Sequence, residues 1–254
     1  MLDNDLDHEE RLENSKKYAI LTFGGEGRRF GWIKPKQFYP LKDGRTLLEY
    51  VVEKFIEFCI FDHIVITSPI DYLEDTKEIV SHLQSRFQDV GNIHVISGGE
   101  SREYSVWNGV EFLKPIASDS DIVLVHDGVR PLVSKEIVLE NIKRCEERGA
   151  IVTAINSTDT VSYSESGIEV EELIERSKIY LHQTPQTFKY GIISNAMKSN
   201  MDRLELFSDD ASIILSVGGK IYYVNGSRRN IKITTMEDME LFSLFLRSST
   251  TEKA

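Results

Sequence analysis

Residues 23–38, FGGEGRRFGWIKPKQF, gather Gly24, Gly25 and Gly27 with Arg28, Arg29, Lys34 and Lys36 just after the apolar run YAILTF. Glycines at the end of such a run let a backbone come close to a ligand and aim N–H groups at an anion. The clustered cations then point to a phosphate-bearing ligand, set against the plainer reading of a tight turn with solvated basic side chains. The spacing is G-x-G-x-x-F from Gly25, so Phe30 stands where a dinucleotide fingerprint has its third glycine, and the G-K-[ST] ending of a P-loop is absent. A second candidate is HDGVRP, where Asp127 closes the almost wholly apolar DIVLVHD. A carboxylate at that place can bridge a Mg²⁺ to substrate phosphates, or it can simply cap the following turn. His126 reads as a packed histidine, because no second histidine or cysteine stands at metal spacing. In GGESREYSVWNG, 98–109, glycines again precede an arginine and a serine, and Arg102 and Ser105 fall on one helix face; an ordinary helix start explains the same letters. Lys232 lies between Ile231 and Ile233, which on a strand turns it away from both, toward solvent or into a site. QTPQTF, 183–188, has little intrinsic meaning. No Ser-His-Asp or Cys-His arrangement is visible.

The elements that must position these residues alternate. Tyr18–Phe23 reads as a strand, and TLLEYVVEKFIEF as an amphipathic helix with Leu47, Leu48, Val51, Val52 and Phe55 on one stripe. HIVITS is a strand, TKEIVSHLQSRF a helix, IHVIS a strand, and a helix opens on Ser101. DIVLVHD reads as a central strand covered on both faces. The next helix is capped by Ser134 and ends at Gly149, AIVTAI is a strand, and the last helix starts from Thr235 with Asp238 three residues on. This is the order of an α/β fold: a Rossmann-like, mostly parallel sheet with helices on both faces. Such sheets bind ligands beyond the carboxyl ends of their strands, where both the glycine loop and HDGVRP lie. Residues 156–176 break the pattern, and the SESG turn between two β-leaning stretches predicts a projecting hairpin arm.

The 254 residues carry a formal net charge of −11, with 41% hydrophobic and 28% charged residues. That balance argues against nucleic-acid binding through a broad basic surface but leaves room for a local phosphate pocket. Cys59 and Cys145 both fall in apolar-periodic helical segments and read as buried free thiols, making no disulfide framework and no zinc site. The acidic segment 1–17 lacks a signal-peptide core and is expected to be a mobile extension. A single domain is expected over 18–247, and a tail over 248–254. No apolar run reaches the length of a membrane span, so a cytoplasmic protein without a membrane partner is expected.

Taken in order, seven stretches resemble one family, the 2-C-methyl-D-erythritol 4-phosphate cytidylyltransferases and the related ribitol-5-phosphate cytidylyltransferases. They are GGEGRRFGWIKPKQF, GGESREYSVWNG, VHDGVRP, DT at 159–160, ERSKIYLHQTPQTF, SDDAS at 208–212 and NIKITT, spread from about Tyr18 to Leu246. The resemblance implies a nucleotidyltransferase fold whose β-arm builds a homodimer, and transfer of CMP from CTP to a polyol phosphate with release of pyrophosphate and Mg²⁺ as cofactor. GGESREYSVWNG and SDDAS lean to methylerythritol phosphate as acceptor, within isoprenoid precursor synthesis. FGG and HDGVRP, with Val129, lean to ribitol 5-phosphate and CDP-ribitol. A catalytically idle nucleotide-binding relative is the reading of another class, and the retained cations oppose it.

Position by position, the resemblance implies that Gly24, Gly25 and Gly27 line the triphosphate, with Phe23 and Glu26 also among the nucleotide-binding residues. Gly98 and Gly99 accommodate the cytosine, with Arg102 and Ser105 also at the nucleotide. Arg29, Lys36 and Lys232 are the implied catalytic cations, and Asp127 the implied metal ligand beside the acceptor. Arg130, Thr160, Arg176, Thr184 and Ser208 surround the acceptor, Thr160 and Arg176 coming from a partner's arm. Phe23 departs from the small residue usual there, Ser208 from the commoner threonine, and Arg229 from the acidic residue of some members. Arg28 and Lys34 are left as surface or supporting charge.

Overall fold

Four runs lie side by side as parallel strands, β1 (Lys17–Thr22), β2 (His63–Ser68), β3 (Asn92–Ser97) and β4 (Ile122–Asp127), with β3 half-buried at the sheet edge. The computed structural model describes residues 15–24, 30–87 and 92–251. Between the strands come helices α1 (Leu47–Phe58), α2 (Leu73–Arg86) and α3 (Arg102–Leu113). β1 and β4 are buried along almost their whole length because both faces of the sheet are covered. Ala19 and Leu21 face the core that also holds Leu48, Val52 and Phe55 of α1, whereas Tyr18 and Ile20 face the core that holds Val106 and Val110 of α3. The Thr46 hydroxyl accepts from the Glu49 N–H and the Glu49 carboxylate from the Thr46 N–H, so α1 starts with a capping box.

After β4 come α4 (Lys135–Arg148), capped by the Ser134 hydroxyl, and β5 (Ala150–Asn156). The arm follows as the antiparallel pair β6 (Val161–Tyr163) and β7 (Glu172–Ile174). The chain returns through β8 (Tyr180–Lys189), α5 (Tyr190–Lys198), α6 (Asp210–Ser216), β9 (Tyr222–Asn225) and α7 (Met236–Thr251). The seven-stranded sheet has the order β3-β2-β1-β4-β8-β5-β9, parallel except for β8, which runs antiparallel to both β4 and β5. Register places Thr22 opposite both Thr67 and Asp127. The loops after β1, β3 and β4 therefore leave the sheet along one edge.

Three local readings are corrected. QTPQTF is part of a ten-residue strand, because β4 and β5 each offer it a ladder. Ile231–Ile233 form no strand; the Ile233 N–H donates to the Val129 carbonyl (2.8 Å) and ties the segment to the loop after β4. Cys145 is buried as expected, but Cys59 is exposed: it ends α1 in the left-handed region at φ 52°. The extension expected over 1–17 lies mostly outside the described residues, and β1 begins at Lys17. At the other end the α7 backbone continues to Thr251.

Candidate active site

Asp127, the last residue of β4, is almost fully buried and sits among three cations. Arg102 Nε donates to Oδ1 (2.8 Å), Lys232 Nζ lies 2.9 Å from Oδ2, and Arg130 Nε lies 3.5 Å from the same oxygen. Burial alone would raise this carboxyl, but Arg102, Lys232 and Arg130 outweigh it and hold Asp127 well below the usual carboxylate range. The Arg102 guanidinium also makes a bidentate contact with Asp210 (3.1 and 2.8 Å), a carboxylate with no solvent exposure. It is thereby kept charged against its own burial. Beneath Asp127, the fully buried His126 bonds the Arg130 carbonyl (3.0 Å) and the Thr184 hydroxyl (3.2 Å). Burial pushes the imidazole down to about 4, so it is neutral near pH 7.

Three clefts share this cluster. A small one of about 440 Å³ is lined by Phe23, Gly24, Lys36, Arg102, Asp127 and Lys232. A wide one of about 1750 Å³ adjoins it at Gly24 and Arg102 and extends over Gly98, Gly99, Trp32, Pro69 and Tyr72. A third, about 790 Å³, contains Arg130, Thr184 and Ser208 and meets the first at Arg102, Asp127 and Lys232. Ser105 is buried behind the glycines: its hydroxyl accepts from the Gly99 N–H (3.0 Å) and donates to the Ser101 carbonyl (2.9 Å). Phe23 is buried with its ring against Gly128, where an added Cβ would overlap the ring. The large residue at position 23 is therefore accommodated by the missing side chain at 128. Thr184 is brought in by the antiparallel run of β8, and its hydroxyl accepts from the Asp127 N–H (3.0 Å). Arg130 Nη1 donates to the Asn230 carbonyl (2.8 Å), while its buried Nε has no hydrogen-bond partner among the described residues.

The chain's own fold does not bring Thr160 or Arg176 to these clefts. Both are exposed near the arm, Arg176 bonding the Thr158 carbonyl (3.3 Å). Gly25, Glu26, Gly27 and Arg29 lie outside the described residues. Among those described, no three or more His, Cys, Asp or Glu converge as a metal cage. One ionised carboxylate at the junction of the clefts does suit Mg²⁺, which is commonly held by one or two carboxylates together with substrate phosphates.

The sequence model of the 2-C-methyl-D-erythritol 4-phosphate cytidylyltransferases matches residues 18–248. The chain belongs to this family. A relative in Thermosipho melanesiensis, named 2-C-methyl-D-erythritol 4-phosphate cytidylyltransferase, is 42% identical over 226 residues, covering 89% of this chain and 96% of the relative. One of the same name in Petrotoga mobilis is 36% identical over 88% of this chain and 95% of its own. Among solved structures, the 4-diphosphocytidyl-2C-methyl-D-erythritol synthase of Anaerococcus prevotii superposes with a TM-score of 0.79 at 28% identity, covering 94% of this chain and 99% of that one. The Francisella tularensis 2-C-methyl-D-erythritol 4-phosphate cytidylyltransferase gives 0.74 at 29%, over 91% and 99%.

Within this cytidylyltransferase fold, several residues at or behind the clefts were not singled out individually from the sequence. Asp210 anchors Arg102, and Asp209 caps α6 while accepting from Gln186 Nε2 (2.9 Å). Both sit in SDDAS, whose paired aspartates were the available signal. His182, Gln183 and Gln186 line the third cleft and lie on the same strand as Thr184.

Proposed function

We propose that this protein transfers CMP from CTP to 2-C-methyl-D-erythritol 4-phosphate and releases pyrophosphate. The observation that carries the reading is the Arg102–Asp127–Lys232 chain at the place where, among the described residues, the glycine-side clefts and the Thr184–Ser208 cleft meet. The cytidine lies over Gly98 and Gly99, and the triphosphate runs along Gly24 and the glycine loop. The acceptor phosphate sits against Arg130, Thr184 and Ser208. An acceptor phosphate oxygen forms a bond to the α-phosphorus, the α–β bridging bond breaks, and its electron pair leaves with pyrophosphate. The attacking oxygen is already anionic, so no general base is needed. Relief of repulsion between two anions is needed, and Lys36, Lys232 and Arg29 supply it. Mg²⁺, when bound at Asp127 with the phosphates, adds neutralising charge of the same kind.

The arm supports a homodimer in which Thr160 and Arg176 reach the acceptor cleft of a second copy. Tyr163, Ile168, Val170 and Leu173 are exposed apolar residues concentrated there. Among the described residues no helix is long and apolar enough to cross a membrane; a cytoplasmic setting, where CTP is available, suits the reaction. The named relatives and solved structures give no support to ribitol 5-phosphate, toward which FGG and Val129 lean, or to an idle binder. Pyrophosphate release measured with each nucleoside triphosphate against both polyol phosphates, with and without Mg²⁺, tests the reading. Mg²⁺-dependent release from CTP with methylerythritol phosphate is expected; release with ribitol 5-phosphate alone, or with no pair, would overturn it.

A further inference from the structure

His182 stands in the third cleft with one ring nitrogen already committed. Its Nδ1 lies 2.7 Å from Asp209 Oδ2, while Nε2 has no hydrogen-bond partner among the described residues. Asp209 is itself fixed. It caps α6 by accepting from the Ser212 N–H (2.9 Å) and accepts from Gln186 Nε2 (2.9 Å). Burial pushes this carboxyl up, but the bonds from His182, Gln186 and the Ser212 N–H outweigh that and keep it well below the ordinary carboxylate range. An ionised Asp209 can only accept, so Nδ1 is the nitrogen that carries the proton it receives, and this tautomer puts the ring's acceptor lone pair on Nε2. Tyr223 lies beside the ring, centroids 6.0 Å apart and planes at 68°, and Tyr223 stacks in turn on Tyr180 of the cleft wall.

The rest of the cleft explains what that lone pair can do. Arg130 and Lys232 offer cations suited to a phosphate, and Thr184 is engaged with Asp127 and His126. A polyol phosphate also brings several hydroxyl donors, which need acceptors once they leave water. We propose that His182, held in register by Asp209, is a specificity-determining residue that accepts a hydrogen bond through Nε2 from a hydroxyl of the polyol acceptor. The inference rests on the transfer reaction proposed above and assigns the polyol end of the same site.

Two substitutions separate contact from architecture. The amide of Gln reaches about as far as Nε2, so His182→Gln keeps an acceptor in the cleft. The amide of Asn reaches about as far as Nδ1, so His182→Asn retains the Asp209 bond but loses the contact. With methylerythritol phosphate varied at saturating CTP, His182→Asn and His182→Ala are expected to raise the acceptor KM about 5- to 10-fold, the scale of one lost hydrogen bond. The KM for CTP and kcat should stay within about twofold, and His182→Gln should restore most of the acceptor KM. An unchanged acceptor KM in His182→Asn, or equal rises in both KM values across all three variants, would overturn the assignment and leave the transferase reading standing. A wild-type protein that turns over no polyol phosphate would instead overturn the parent reading and this inference with it.

Discussion

On the side of Gly98 and Gly99, three glycines, Pro35, Pro69, Trp32 and Tyr72 give the lining close backbone and flat rings, with Lys34, Asp71, Glu100 and Arg102 adding charge and Ser105 tucked behind. On the side of Thr184 and Ser208 it is side chains with polar ends, Arg130, His182, Gln183, Gln186 and Asp209. The two sides meet at Arg102, Asp127 and Lys232. A nucleoside presents a flat base that a close backbone can grip, whereas a polyol phosphate presents charge and hydroxyls that need individual partners. Substitutions on the first side should therefore act through shape, and those on the second through single bonds.

The largest effect belongs to the cations where the sides join. Lys36→Ala should lower kcat by roughly 10²–10³-fold while changing the CTP dissociation constant only a few-fold; equal losses in both would place Lys36 in ground-state binding. Next comes a test of shape. An added Cβ at Gly99 would overlap the Tyr104 Cβ and lie 2.8 Å from the Tyr104 carbonyl carbon, a backbone atom with little room to yield. Gly99→Ala should weaken CTP binding about tenfold or more and destabilise the fold by about 1–3 kcal/mol, with the acceptor KM little changed. A selective rise in the acceptor KM would break the contrast between the sides.

A smaller effect comes from beneath the junction. His126 titrates at about 4 when folded against 6.5 ordinarily, so the unfolded chain binds a proton that the native protein resists. Its contribution is intact above pH 6.5 and is lost as the pH falls from 6.5 to about 4, by up to about 3 kcal/mol. Urea unfolding at pH 7 and pH 5 should show the loss, and His126→Gln should flatten it; the half-buried pair His63 and His94 shifts the same way and leaves a residual slope. The smallest effect lies outside both clefts. Cys59→Gly relieves a left-handed residue and should raise stability by at most about 1 kcal/mol with kinetics unchanged.

How far the sequence revealed these two sides follows from their construction. β1, β2 and β4 are largely apolar, buried runs because helices cover both faces, and glycines at strand ends declare themselves without neighbours. Asp127 was legible for the same reason, since it ends such a run. The acceptor side was harder. β8 opens on exposed Tyr180–His182 and continues through polar residues and Pro185, so it becomes a strand only when β4 and β5 flank it. His182, Asp209 and Asp210 acquire meaning only once that strand runs antiparallel beside α6. Lys232 was singled out for its place between two isoleucines on a strand, but a loop held by Val129 is what delivers it to Asp127.

The central claim is that chemistry occurs where the sides meet, and Lys232→Ala tests it with both substrates varied. The account predicts a kcat lower by roughly 10²–10³-fold with the CTP and acceptor KM values each within a few-fold of wild type. An unchanged kcat, with the whole effect in one KM, would contradict it.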